Sequence, residues 1–323
     1  MRPRSTLRPR YLVSALVVLA VLSGGSAIPA ARTALASGGS ARAAARAKWV
    51  GSGNSGPTSP ASTPSATASP AAPVAPPPPA PVEPKVQVTT PDADFFGWAL
   101  LNRRSGVITG SDNRGGGTNS TESMIKVWIV SDYLRQLPAG TQLDATTSTE
   151  LAAAIIHSDD NAAEKYYLLG GGNAVVQRMI SMCGLTDTTW YDGWWSRTEM
   201  SPQDAVRLGL CVADGTAAGP TWTPWVLTQM RGVQGGVADQ QDTTGGGRWG
   251  IIDGVPATVA GALAIKNGWT AIGADGDWHV NNLAISDDWV LAVMVRYPIA
   301  KGLQYGADVC ATLARQVLTD PLP

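Results

Sequence analysis

Three short runs near the C-terminal end constrain the fold most: Ala262 to Trp269, Trp278 to Ile285 and Trp289 to Tyr297. Asp275-Gly276 and Asp287-Asp288 punctuate them as hairpin turns. Far upstream, Phe96 to Leu101 and Gly106 to Gly110 read as two more strands around the polar loop Asn102 to Ser105. Hairpin strands at both ends of one body predict a single antiparallel sheet, with whatever separates them inserted. What separates them reads as helix. Glu150 to Ile156, Ala162 to Leu169, Asn173 to Met182 and Pro202 to Leu210 are helical, and Tyr305 to Leu318 closes the chain as an amphipathic helix. Trp222 to Gly247 is glycine-rich and carries no clear period. The expected class is α/β in the α+β sense: a five-stranded antiparallel sheet flanked by helices, with an inserted all-helical subdomain.

Charge divides the chain. Residues 1–48 carry eight basic side chains and no acid, whereas the stretch from residue 86 onward has a net charge of −9. An acidic body argues against nucleic acid as a partner, because such binding needs a basic face. Arg2, Arg4, Arg8 and Arg10, the apolar stretch Tyr11 to Leu22 and Ala34-Leu35-Ala36 predict an export signal over residues 1–36. An uncleaved N-terminal anchor is the other reading, and the only membrane contact expected. Residues 37–85 are rich in Ala, Ser and Pro, with 11 of the 23 prolines between Pro57 and Pro84. Such a segment buries no core and is expected to be a disordered linker. The folded body is expected over residues 86–323, secreted or held in the cell envelope, as a monomer. Three cysteines are present, Cys183, Cys211 and Cys310, with two histidines and no ligand spacing, so no metal or cofactor is expected. Export permits one disulfide; Cys183 with Cys211 is the pairing chosen, against buried free thiols.

Chemistry concentrates in three places. Ser123-x-x-Lys126 opens an apolar, buried helix, which sets a hydroxyl one turn from an amine. A desolvated lysine can be the base that a serine nucleophile needs. Ser158-Asp159-Asp160 lies between two helices, and Lys266-Asn267-Gly268 lies on a strand. In this order the three elements resemble the S-x-x-K, S-D-N and K-T-G set of the serine β-lactamase and penicillin-binding superfamily, most of all class A β-lactamases. Ala152-Ala153-Ala154, Asn161-Ala162-Ala163 and Ser201-Pro202 sit in similar surroundings, and the likeness runs over about residues 88–320. The resemblance implies Ser123 as nucleophile and Lys126 as base, with Ser158 and Lys266 relaying a proton. It also implies an oxyanion hole made by the N–H groups of Ser123 and Trp269, and substrate contacts from Asp160, Asn267 and Gly268.

The sequence departs from that pattern at three points. Asn267 replaces a hydroxyl residue, Asp160 replaces the usual Asn, and Leu185 to Met200 lacks the Glu-x-x-Leu-Asn pattern that supplies the class A deacylation base. Asp187, Asp192 and Glu199 are the acids of that segment and read as ordinary loop carboxylates. Trp190, Tyr191, Trp194 and Trp195 either line a cleft or staple the loop. His157 and His279 read as structural, and Glu122 as an acid favoured by a helix N-terminus. The implied function is an exported serine hydrolase or acyltransferase that forms an acyl-enzyme at Ser123. Its substrate would be a cell-wall-type peptide, with peptidoglycan as the larger partner, or a β-lactam-like small molecule. Two alternatives stand beside it: an active class A-type β-lactamase with another deacylation base, and a catalytically degraded ligand-binding relative.

Overall fold

A computed structural model of the chain describes residues 86–241 and 245–318. The expected leader and linker lie outside the described residues. The order begins with strands Phe95–Asn102 (β1), Ile108–Gly110 (β2) and Asn119–Ser120 (β3). A 3-10 turn, Glu122–Ile125, runs into Lys126–Arg135 (α1), followed by Ala145–Ile156 (α2), Asp160–Leu169 (α3) and Asn173–Met182 (α4). Next come Glu199–Met200 (β4), Pro202–Ala213 (α5), Thr223–Arg231 (α6) and the short Ala257–Ala260 (α7). Ala264–Ile272 (β5), Asp277–Ile285 (β6), Trp289–Pro298 (β7) and Gly302–Val317 (α8) complete it.

The main sheet has five strands in the order β2-β1-β7-β6-β5, every neighbouring pair antiparallel. The first two strands join the last three through β1 against β7, as the sequence predicts. Val290 to Val295 is continuously apolar because helices cover both faces of the sheet. α5 lies on one face, so close that a Cβ on Gly209 would come within 2.5 Å of Val290 Cγ1. α8 covers the other, where Gly306 N donates to Tyr297 Oη at 3.0 Å. Val290 and Tyr297 are an odd number of residues apart and so point to opposite faces. Fully burying a side chain of this size is worth roughly 1.5–3 kcal/mol.

Two helices differ from expectation. α2 starts at Ala145, because the Asp144 side chain accepts from Thr147 N at 2.9 Å and caps it. α6 occupies part of the stretch that shows no period; Pro224 sits in its first turn, and the glycines that hide it only follow its end.

Cys183 and Cys211 form a disulfide that ties the end of α4 to α5, and Cys310 is free and buried. The bond closes a 28-residue separation that contains the whole 185–200 segment. Chain-entropy arguments give such a closure about 3.5 kcal/mol. Replacing both residues by serine is expected to lower unfolding free energy by about 2–4 kcal/mol, read by urea titration under non-reducing conditions. An unchanged midpoint would rule the bond out as a stabilising element.

Candidate active site

The strand register decides which residues meet. On β5, Lys266, Gly268 and Thr270 pair with Leu283, Asn281 and His279 of β6, and residues paired across a ladder share a face. That face looks towards the Ser123 turn. Two β6 side chains anchor the chain just before it. Asn281 accepts from Asn119 Nδ2 at 2.9 Å and donates to the Ser120 carbonyl at 2.7 Å, and His279 Nδ1 lies 2.8 Å from Ser120 Oγ. β5 then closes directly on the turn: a Cβ on Gly268 would come within 2.8 Å of Ser123 N and 2.5 Å of Met124 N. Only glycine permits that approach. Ser123 is left half-buried at the start of the helical segment, with no hydrogen-bond partner for its hydroxyl among the described residues.

Both lysines are buried to 0% exposure. Lys126 Nζ contacts the Ser158 carbonyl, Ser158 Oγ at 3.2 Å and Asp160 Oδ1 at 2.6 Å. Lys266 Nζ donates to Ser158 Oγ at 3.0 Å and to the Asn267 carbonyl at 3.0 Å. The Ser158 hydroxyl therefore stands between two amines. Its backbone takes φ +56°, a left-handed conformation that costs a non-glycine residue about 1 kcal/mol or more. That turn points carbonyl and hydroxyl at the same lysine. Burial lowers the pKa of Lys126, against the opposing pull of Asp160. It lowers that of Lys266 much further, with the charge of Lys126 adding to the effect. The Lys126 contacts fit either protonation state. An ammonium donates to all three oxygens; a free amine donates to two and accepts from the Ser158 hydroxyl.

The other expected residues divide. Asp160 opens α3 at the cleft rim, with its side chain 80% exposed, and pairs with Lys126. Asn267 does not face the cleft. It is 1% exposed, and both of its amide hydrogens go to the carbonyls of Gly247 at 2.7 Å and Trp249 at 2.8 Å. Both amide hydrogens of Asn267, expected from the sequence to meet a substrate, are used within the protein. Gly268 acts through its missing side chain. Trp269 reaches the cleft wall, with its ring edge-on to Trp249 at 5.4 Å. His157 also lines the cleft, and its Nδ1 is buried without a partner among the described residues.

The cleft has a volume of about 670 Å³, and its walls include Ser123, Ser158, Asp160, Glu164, Trp195 and Trp269. None of the 185–200 acids lines it. Asp187 accepts from Ser201 Oγ at 3.0 Å, Asp192 from Asn173 Nδ2 at 2.5 Å, and Glu199 lies in β4. That segment instead sends in Trp195, whose ring lies 5.3 Å from Lys126 Nζ and whose Nε1 donates to Glu164 Oε2 at 2.8 Å. Glu164 was legible as the residue one turn beyond Asp160, on the same helix face. Thr270 was legible from strand parity with Lys266.

No protein-family model matches the sequence, and no curated protein sequence matches it. Solved structures do match in fold. A β-lactamase from Chitinophaga pinensis has 18% identity and a TM-score of 0.52, covering 69% of this chain and 92% of that one. A class A β-lactamase from Mycobacterium abscessus has 18% identity and a TM-score of 0.51, with the same two coverages. A β-lactamase from Xanthomonas campestris has 16% identity and a TM-score of 0.52, covering 70% and 91%. The chain has the serine β-lactamase fold.

The Lys126–Asp160 contact has a measurable sign. In Asp160→Asn, Lys126 loses the partner that raises its pKa, so its side-chain nitrogen titrates at lower pH than in wild type. Nitrogen-15 NMR of the lysine side chains reads this, and a midpoint that stays put or rises excludes the pairing.

Proposed function

We propose that this β-lactamase-fold chain is a serine hydrolase or acyltransferase that forms an acyl-enzyme at Ser123 with an amide of a cell-wall-type peptide or a β-lactam. The supporting observation is the Ser158 hydroxyl, held between the buried Lys126 and Lys266 amines in the cleft that Ser123 lines. In this reading Ser123 Oγ attacks the carbonyl carbon while its proton passes to neutral Lys126. The developing oxyanion takes hydrogen bonds from the N–H groups of Ser123 and Trp269. The C–N bond then breaks, and the leaving nitrogen takes a proton from Ser158 Oγ, which draws a replacement from a lysine ammonium. Asp160, at the rim, meets the substrate side chain. An export leader over residues 1–36 and a linker over residues 37–85 belong to the same reading. The disulfide suits an oxidising compartment.

Release of the acyl group is the weaker half. Hydrolysis needs a base that aims water at the ester, and the side of Lys126 towards the 185–200 segment is covered by an indole. The reading therefore gives a long-lived acyl-enzyme, as in a penicillin-binding peptidase. Glu164 favours the second reading, a β-lactamase with an atypical base, because its carboxylate lines the cleft.

Incubation with a fluorescent penicillin is expected to label the wild type and leave Ser123→Ala unlabelled. Lys126→Ala should label at least about 10²-fold more slowly. The labelling rate should rise with pH through the lowered pKa of Lys126, because only the free amine accepts the serine proton. No label on the wild type, or equal label on Ser123→Ala, sinks the reading. Fast turnover of a chromogenic β-lactam, lost in Glu164→Gln, would favour the second reading.

A further inference from the structure

One group at the cleft has no part in the steps above. Glu122 directly precedes Ser123, is 4% exposed, and takes φ +49°. Its two carboxyl oxygens hold different segments. Oε1 lies 2.6 Å from Ser120 Oγ, and Oε2 lies 2.7 Å from Thr270 Oγ1. Thr270 follows Trp269 on β5 just as Glu122 precedes Ser123. One carboxyl group thus bridges the two stretches of backbone that carry the Ser123 and Trp269 N–H groups.

The contacts continue to the surface. Ser120 Oγ lies 2.8 Å from His279 Nδ1, and His279 Nε2 lies 2.9 Å from Asp275 Oδ2, whose side chain is 41% exposed. At the other end Thr270 Oγ1 also lies 2.7 Å from the Trp269 carbonyl. Each of these five contacts needs one hydrogen. The two hydroxyls supply one each and a neutral imidazole supplies one. A carboxylic acid at Glu122 supplies a fourth, and an imidazolium at His279 the fifth. With Glu122 protonated, its O–H donates to Thr270, which then donates to the Trp269 carbonyl. Burial raises the pKa of Glu122, which favours that form, while Ser120, Thr270, His279 and Arg197 oppose it. Lys126 faces it from α1.

We propose that Glu122 is a positioning residue, a clasp that sets the distance between the Ser123 turn and the Trp269 segment through hydrogen bonds to Ser120 and Thr270. The assignment of those two N–H groups to an oxyanion hole rests on the function proposed above; the clasp itself does not. Glu122 is not the missing water-activating base, since both of its oxygens are occupied by hydroxyl groups.

The test uses the full chain with Glu122→Ala, Glu122→Gln and Thr270→Val. Backbone hydrogen exchange is read over residues 121–125 and 264–272, together with the saturating rate and half-saturating concentration of labelling by fluorescent penicillin. Glu122→Ala and Thr270→Val are expected to exchange at least about tenfold faster in both segments, because the opening equilibrium loses its clasp. Their saturating labelling rate should fall about tenfold or more, with the half-saturating concentration little changed. Glutamine can accept from Ser120 and donate to Thr270, so Glu122→Gln should keep its exchange protection and stay within about threefold of the wild-type rate. Unchanged exchange in Glu122→Ala overturns the clasp, as does a Glu122→Gln variant that behaves like Glu122→Ala. If Glu122→Ala does not fold, Thr270→Val decides alone. If the wild type takes no label, the hydrolase reading fails, and exchange still decides the clasp.

Discussion

Two lysine side chains are buried on either side of one hydroxyl, and the cleft is built to keep them there. An ammonium taken out of water costs several kcal/mol after relaxation, so it needs partners or it gives up its proton. Lys266 has only a hydroxyl and a carbonyl as acceptors, and its pKa is driven down furthest. Lys126 has a carboxylate as well, and its pKa is lowered less strongly. Supplying these acceptors fixes much of the local structure. Ser158 takes a left-handed backbone to turn two oxygens on Lys126. Asp159 caps α3 through Ala162 N at 2.8 Å, which places Asp160 on the first turn of that helix. β5 must bring Lys266 in from the sheet, and Gly268 lets it come close enough.

The sheet was legible because its strands announce themselves: short runs, hairpin turns, and both ends of the body available for pairing. The Ser201-Pro202 helix start was legible for the same kind of local reason, a side-chain cap followed by proline. What stayed hidden depends on contacts between distant segments. Asn267 is the middle residue of Lys266-Asn267-Gly268, and its amide is bound by the carbonyls of Gly247 and Trp249, which only the fold brings beside it. Glu122 reads as an ordinary acid at a helix start because its partners, Thr270 and His279, lie about 150 residues away in the chain. Trp195 is one of four aromatics in its loop, and only the fold says which of them faces Lys126.

Two of the three departures from the β-lactamase pattern, the 185–200 segment and Asp160, then cease to be independent. The 185–200 segment supplies an indole beside Lys126, and its Asp187 and Asp192 carboxylates are bound by Ser201 and Asn173 away from the cleft. The charge balance of Lys126 is met instead from α3, by Asp160 at 2.6 Å. A carboxylate beside Lys126 is therefore present, on the exposed rim rather than against the protein wall. There it can hold the lysine, and it is poorly placed to hold a water that approaches from the covered side. The arrangement also ties Lys126, the base of the proposed mechanism, to the cleft opening. Asp160 is the largest of the groups that raise the Lys126 pKa, ahead of Asp159 and Glu122. Displacing that exposed carboxylate therefore leaves burial less opposed and moves Lys126 towards the free amine that the proposed nucleophilic attack requires.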